Sequence, residues 1–389
     1  MTYRIRTMNA ISPIGLAQLP RDTFDLGTDI PEPEGILVRS ADLHAAPVPE
    51  SVLAVARAGA GTNNIPVADL AARGVPVFNT PGANANAVKE LVLAGMLLAA
   101  RNIVQAADYA KHLDGDDAAV SAAVEKGKKQ FAGFELPGRT LGVIGLGAIG
   151  VQVANSARAL GLRVLGYDPS MSVERAWQLS ADVEQASSVE EVFARADLLT
   201  VHVPLVESTR HLVNAERIGT MKPAPVILNF ARGGIVDDEA VLAALDDGRL
   251  HAYVCDFPTV ALLGHPKVVA LPHLGASTAE AEENCAVMAA DQLRDYLLDG
   301  TIRNSVNFPE VVLPRSAGTT RLGIFNRNVP NMVGQITGVL AEAGLNVADL
   351  LNKSHGDCAY TLVDVDGEMP DAVRQQVAGI DGVIRVRQL

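Results

Sequence analysis

Short apolar runs alternate with helix-length amphipathic stretches along most of the 389-residue chain. "EGILVRS", "VLAVARAGAG" and "GVPVFNTP" read as successive strands with loops at their C-terminal ends. "IPVADLAARG" between two of them reads as a helix stopped by Gly74. Strands alternating with helices predict a parallel sheet. One long helix is expected over about 84–112, followed by the polar segment "DGDDAAVSAAVEKGKKQFAGFELPG". After Asp168 the rhythm resumes. "ADLLTVHVPL", "APVILNFARGG", "HAYVCDF" and "KVVALPHLGAST" are strands running into loops. "AEAEENCAVMAADQLRDYLLDG" is a long amphipathic helix ending at Gly300.

The pattern changes at "TIRNSVNFPEVVLPRSAGTT", where prolines and small residues suggest a linker over 301–320. Residues 321–389 carry the order β-α-β-β-α-β, a ferredoxin-like module. The expected fold class is α/β, with two doubly wound parallel-sheet domains and a C-terminal ferredoxin-like domain.

Composition narrows the setting. The chain is 48% hydrophobic but only 4% aromatic, which predicts thin aliphatic cores of the kind found in parallel sheets. A net charge of −13 argues against nucleic acid or an anionic membrane as the main partner. Cys255, Cys285 and Cys358 form no CxxC pair, and an odd number favours a reducing cytoplasm over a disulfide framework. No apolar run reaches membrane-spanning length, and the N-terminus lacks the apolar core of a secretory signal.

The most informative stretch is "LGVIGLGAIGVQVANSARALGLRVLGYDPS". Gly145, Gly147 and Gly150 follow an apolar strand and open a helix. Gly145 allows a tight turn, Gly147 a close approach of a pyrophosphate to the backbone, and Gly150 close helix–strand packing. The helix N-terminus, from Ala148 and Ile149, offers free N–H groups to phosphate. Asp168 ends the next strand, eighteen residues beyond Gly150, where its carboxylate accepts from ribose hydroxyls and repels a 2′-phosphate. At about 4 Å and an effective dielectric of 20 that repulsion costs roughly 4 kcal/mol, so NAD is expected rather than NADP.

A nicotinamide cofactor needs a substrate-binding cation and a proton acceptor. Arg232 and His273 both follow the C-terminal ends of predicted strands, where open α/β sheets bind ligands. Taken singly, either side chain is equally compatible with a surface cation or a structural histidine. His202, in "TVHVPL", ends another strand and reads as structural, and His265 as a loop residue.

Together, "LGVIGLGAIG", "YDP", "VHVPL", "NFARGGIVDDEAVLAAL" and "PHLGAST" resemble the D-2-hydroxyacid dehydrogenase family. "NTPGANANAVKELV" and the C-terminal module, which is similar to ACT regulatory domains, point within it to the branch acting on phosphorylated D-glycerate. The resemblance spans nearly the whole chain and implies the first step of L-serine biosynthesis. It implies a discontinuous substrate-binding domain of 1–88 and 276–300, an NAD-binding domain of 89–275 and a regulatory domain of 321–389, with catalysis in a cleft between the first two. Arg232 is the expected carboxylate grip and His273 the acid–base catalyst. Val203, Phe230, Ala231, Arg232, Asp256, His273, Gly275 and Ala276 are expected to line the cofactor. Arg39 and Arg57 are expected on the substrate phosphate, and Gly59 on its carboxylate, with Asn79 and Lys89 as weaker candidates. An amino-acid effector such as L-serine is expected at a subunit interface through Asn326, Asn328 and Asn346, in a homodimer or homotetramer.

The chain departs from the family at one telling position. The family pairs its histidine with a glutamate in a loop like D-F-P-x-E, and here "DFPTV" places Val260 there. That leaves open a dehydrogenase for another D-2-hydroxyacid, or an NAD-binding regulatory protein with weakened catalysis.

Overall fold

The structure is a computed structural model and describes residues 2–389. It forms two compact units: residues up to Ala83 together with Glu282–Leu389, and Asn84–Ala281.

The first unit contains a five-stranded parallel sheet. Its strands are β1 (Tyr3–Met8), β2 (Phe24–Gly27), β3 (Gly35–Val38), β4 (Ala54–Arg57) and β5 (Val77–Phe78), in the order β2-β1-β3-β4-β5. Every residue of β3 is buried, as a strand covered on both faces requires. Ile36, Val38, Val55 and Val77 pack on one face, while Ile5, Leu37, Ala54 and Phe78 pack on the other against the helix Ala279–Asp299.

The second unit is a seven-stranded parallel sheet. Its strands are β6 (Thr140–Ile144), β7 (Arg163–Tyr167), β8 (Glu184–Gln185), β9 (Leu198–Val201), β10 (Val226–Asn229), β11 (Ala252–Cys255) and β12 (Val268–Ala270), ordered β12-β11-β10-β9-β6-β7-β8. The chain starts in the middle at β6, runs outward to β8, then returns to β9 on the other side of β6. That reversal leaves a crevice at the C-terminal ends of β6 and β9, the usual ligand position in such sheets. Core residues from the helices Ala85–Ala100 and Ala148–Ala159 cover one face.

The single helix expected over 84–112 is two helices, Ala85–Ala100 and Ile103–Lys111. Asn102 between them adopts a left-handed conformation, φ 51°, which asparagine tolerates better than most residues. The polar segment after it also holds a helix, Asp117–Gly127, capped by the Asp116 carboxylate accepting from Ala119 N–H.

The C-terminal strands are β13 (Thr319–Arg327), β14 (Val347–His355), β15 (Cys358–Asp366) and β16 (Val383–Gln388), an antiparallel sheet ordered β14-β15-β13-β16. With helices Met332–Glu342 and Asp371–Ala378 this is the ferredoxin-like topology expected. The segment 301–320 is anchored to the unit. Ile302 bridges Val311, and both are fully buried, as Phe308 nearly is. The module seats on the C-terminal end of the Ala279–Asp299 helix. Arg387 donates to the Tyr296 and Leu297 carbonyls, and the Tyr360 hydroxyl donates to the Gly300 carbonyl at 2.9 Å. Among the described residues no helix is long and apolar enough to cross a membrane.

Candidate active site

The glycine loop has the geometry its sequence implies. Gly145 has φ 92°, and a Cβ there would lie 2.6 Å from the His202 carbonyl oxygen. A Cβ on Gly150 would overlap the Gly145 carbonyl oxygen, so only glycine lets the helix close onto the loop. At Gly147 a Cβ would meet nothing within 4 Å: the space above this residue is open. Gly147 also caps the Ala148–Ala159 helix without a side-chain hydrogen bond, so the first-turn N–H groups face that space unclaimed. An open, positive helix end is what a pyrophosphate requires, and the residues present fit a dinucleotide.

Asp168 follows β7 and already has local work. One carboxylate oxygen accepts from Leu146 N–H and the other from Ser170 N–H, each at 2.8 Å. The first bond ties the acidic residue to the glycine loop, so the loop's shape depends in part on this side chain. Val203, half-buried, follows β9 beside Gly145. His202 donates its main-chain N–H to the Ile144 carbonyl at 2.7 Å, and its Nε2 lies 3.0 Å from the Thr200 hydroxyl. Its Nδ1 is buried without a partner, and burial pulls its pKa down to about 4. A neutral structural imidazole agrees with the sequence reading.

Arg232, Asp256 and His273 follow the ends of the adjacent strands β10, β11 and β12. Asn229, at the end of β10, sets the Arg232 loop. Its amide donates to the Arg232 carbonyl at 2.9 Å and its oxygen accepts from Ala231 N–H at 3.1 Å. The Arg232 guanidinium is exposed and donates to the Ala231 carbonyl. The Phe230 ring is buried against Gly95, which leaves its main chain as the part available to a nucleotide.

Asp256 organises the His273 loop. Its main-chain carbonyl accepts from His273 N–H at 2.9 Å, and its Oδ2 accepts from Gly275 N–H at 3.2 Å. Its Oδ1 is buried with no partner. Burial raises the carboxyl's pKa, and the Gly275 bond and the nearby His273 and Arg232 oppose the rise. His273 is exposed, with φ 29°, an unusual value for a non-glycine residue. Gly275 is buried between Val88 and Asp256, and Ala276 is half-buried beside it.

In the first unit, Arg39, Arg57 and Gly59 gather at the C-terminal ends of β3 and β4. Arg57 Nε donates to the Arg39 carbonyl at 3.0 Å, and a Cβ on Gly59 would come 2.5 Å from Arg57 Nη1. Arg39 is ion-paired with Glu282 at 2.5 Å, a partner the sequence pattern did not reveal. The weaker candidates are engaged locally, Asn79 with the Ala60 carbonyl and Lys89 with Asn86.

The three effector candidates do not form one cluster. Asn326 is buried, and its amide donates to the Arg327 carbonyl. Asn328 is bonded to the Gly356 carbonyl before β15, whereas Asn346 is bonded to Asp366 at its far end. Eight residue steps of β15 separate those ends, roughly 27 Å at about 3.4 Å per residue.

Comparison with known proteins gives the family. The family described as "D-isomer specific 2-hydroxyacid dehydrogenase, NAD binding domain" matches residues 93–275. A D-3-phosphoglycerate dehydrogenase of Haemophilus influenzae is 35% identical over 85% of this chain and 79% of its own length. Another, from Methanocaldococcus jannaschii, is 38% identical over 67% of this chain, which spans about half (49%) of that longer relative. The structure of NAD+-bound 3-phosphoglycerate dehydrogenase from Entamoeba histolytica shares the fold, with a TM-score of 0.61 at 24% identity over 79% of this chain and 99% of that one. The chain belongs to the D-isomer-specific 2-hydroxyacid dehydrogenase family, and residues 93–275 are its NAD-binding domain.

Proposed function

We propose that the protein oxidises 3-phospho-D-glycerate to 3-phosphohydroxypyruvate with NAD, the first step of L-serine biosynthesis. The observation that carries this reading is the placement of Arg232, Asp256 and His273 at the ends of adjacent strands, in the same sheet as the glycine loop. The names of the D-3-phosphoglycerate dehydrogenase relatives supply the substrate.

The Gly147 helix end holds the pyrophosphate and Asp168 the adenosine ribose. The main chain at Phe230 and Ala231, with Val203, Asp256, Gly275 and Ala276, lines the rest of the cofactor. A bound nicotinamide would supply the acceptor for the hydride that leaves C2. Arg232 grips the substrate carboxylate with its planar donor fork and so orients C2. His273 takes the C2 hydroxyl proton during oxidation and returns it in reduction. Arg39 and Arg57 bind the phosphate, and the Gly59 backbone assists with the carboxylate.

The C-terminal module is read as regulatory. Because Asn328 and Asn346 lie at opposite ends of the sheet, an effector using both must be shared between two copies. Exposed apolar side chains at Leu97, Ile103, Val104 and Val124 support a homodimer or larger homo-oligomer. Three unpaired cysteines support a cytoplasmic setting. The Arg39–Glu282 pair favours one second reading, a dehydrogenase for an unphosphorylated D-2-hydroxyacid, because Glu282 already occupies the phosphate cation.

NADH formation from 3-phospho-D-glycerate, beside D-glycerate and D-lactate and with or without L-serine, decides the matter. Turnover selective for the phosphorylated acid is expected. Selectivity for an unphosphorylated acid would establish the second reading, and absence of NADH with every acid would reject both.

A further inference from the structure

The loop after Asp256 lacks the family's glutamate. Val260 projects into solvent, 89% exposed, in a 3₁₀ turn of residues Val260–Leu262. Among the described residues no carboxylate hydrogen-bonds or ion-pairs with the His273 imidazole. A different side chain touches it. The Phe257 ring centroid lies 4.4 Å from that of His273, tilted by 44°. The Arg232 Cζ lies 5.9 Å from the centroid of the same Phe257 ring. One aromatic ring therefore contacts both groups assigned to the chemistry.

Resting on the dehydrogenase reading, we infer that Phe257 is a positioning residue for proton transfer, doing by packing and π-face attraction what a carboxylate partner does elsewhere. Asp256 fixes the main chain of His273 through its carbonyl, and its neighbour Phe257 fixes the ring. The two residues act as a pair on consecutive positions. An aromatic face attracts a cation, so it favours the imidazolium formed when His273 accepts the substrate proton. The same ring lies 5.9 Å from the Arg232 Cζ, so one side chain borders both groups. The charged neighbours are Asp256 just after β11 and Arg232 after β10, and both are retained in the variants below.

The test is the steady-state kinetics of NADH formation in Phe257→Leu and Phe257→Tyr, with kcat and KM read separately. Leucine keeps an apolar side chain but removes the π face. The Phe257→Leu variant is expected to lose on the order of tenfold in kcat with NAD binding unchanged. KM for the acid should change far less than kcat, because the ring orients the proton acceptor and does not hold the substrate. Phe257→Tyr should keep the parent kcat. A Phe257→Leu enzyme with the parent kcat, or one whose whole loss falls on KM, overturns the inference, as does a tyrosine variant as impaired as leucine. His273→Asn separates the two levels: if that variant turns over within a few-fold of the parent, the acid–base reading itself has failed, whatever Phe257 does.

Discussion

Replacing His273 by asparagine is expected to slow NADH formation by about 10²–10⁴-fold, the usual worth of a positioned general base. NAD affinity should change far less than turnover, because the glycine loop and Asp168 form a separate part of the unit. Asparagine is the informative replacement. Position 273 has φ 29°, and asparagine tolerates positive φ better than most residues. The main-chain bond from residue 273 to the Asp256 carbonyl survives the change. A loss of turnover with intact NAD binding therefore reports the missing imidazole and not a collapsed loop. Steady-state kinetics beside a nucleotide titration checks this, and a turnover within a few-fold of the parent would remove His273 from the mechanism.

The largest stability effect is expected in the C-terminal module. Arg321 and Asp364 are both fully buried. Arg321 Nε and Nη2 donate to the two Asp364 oxygens at 2.6 and 2.7 Å, while Nη1 donates to the Leu313 carbonyl at 2.9 Å and the Asp299 carbonyl at 3.2 Å. The guanidinium thus ties the module's first strand to its third, to the preceding segment and to the end of the Ala279–Asp299 helix. Arg321→Met strands a carboxylate in the interior and should cost about 3–5 kcal/mol. The double variant Arg321→Met with Asp364→Leu removes the stranded charge and should recover much of that loss. Urea denaturation reads both. A single variant as stable as the parent, or a double variant worse than the single, would contradict this account of the pair.

Motifs made the site legible because they join a backbone requirement to a strand end. Gly145 and Gly150 could be read directly, since their positions admit no Cβ. Arg232 and His273 were legible for a related reason: a polar residue just past an apolar run marks the C-terminal end of a strand. The supports were not. Asn229 and Asp256 look like ordinary strand-end polar residues until the neighbouring loops are in place, and the Asp256 carboxylate accepts from Gly275, nineteen positions away. Phe257 reads as core from its type alone. The helix break at Asn102 was hidden because apolar spacing continues through it, and one residue in the left-handed region leaves no periodic trace. The segment 301–320 reads as a tether by composition, but Ile302, Phe308 and Val311 bury themselves and hold it. Asn328 and Asn346, expected at one site by resemblance, fell at opposite ends of a strand, because spacing along the chain does not say which end of a sheet a loop residue reaches.

The claim on which the account depends is that the helix end at Gly147, together with Asp168, holds NAD. Calorimetric titration of the parent and of Asp168→Ala with NAD and with NADP tests it most directly. The parent should bind NAD and reject NADP by about a thousandfold, the value of roughly 4 kcal/mol of charge repulsion, and Asp168→Ala should close most of that gap. A parent chain that binds neither nucleotide, or both equally well, would contradict it.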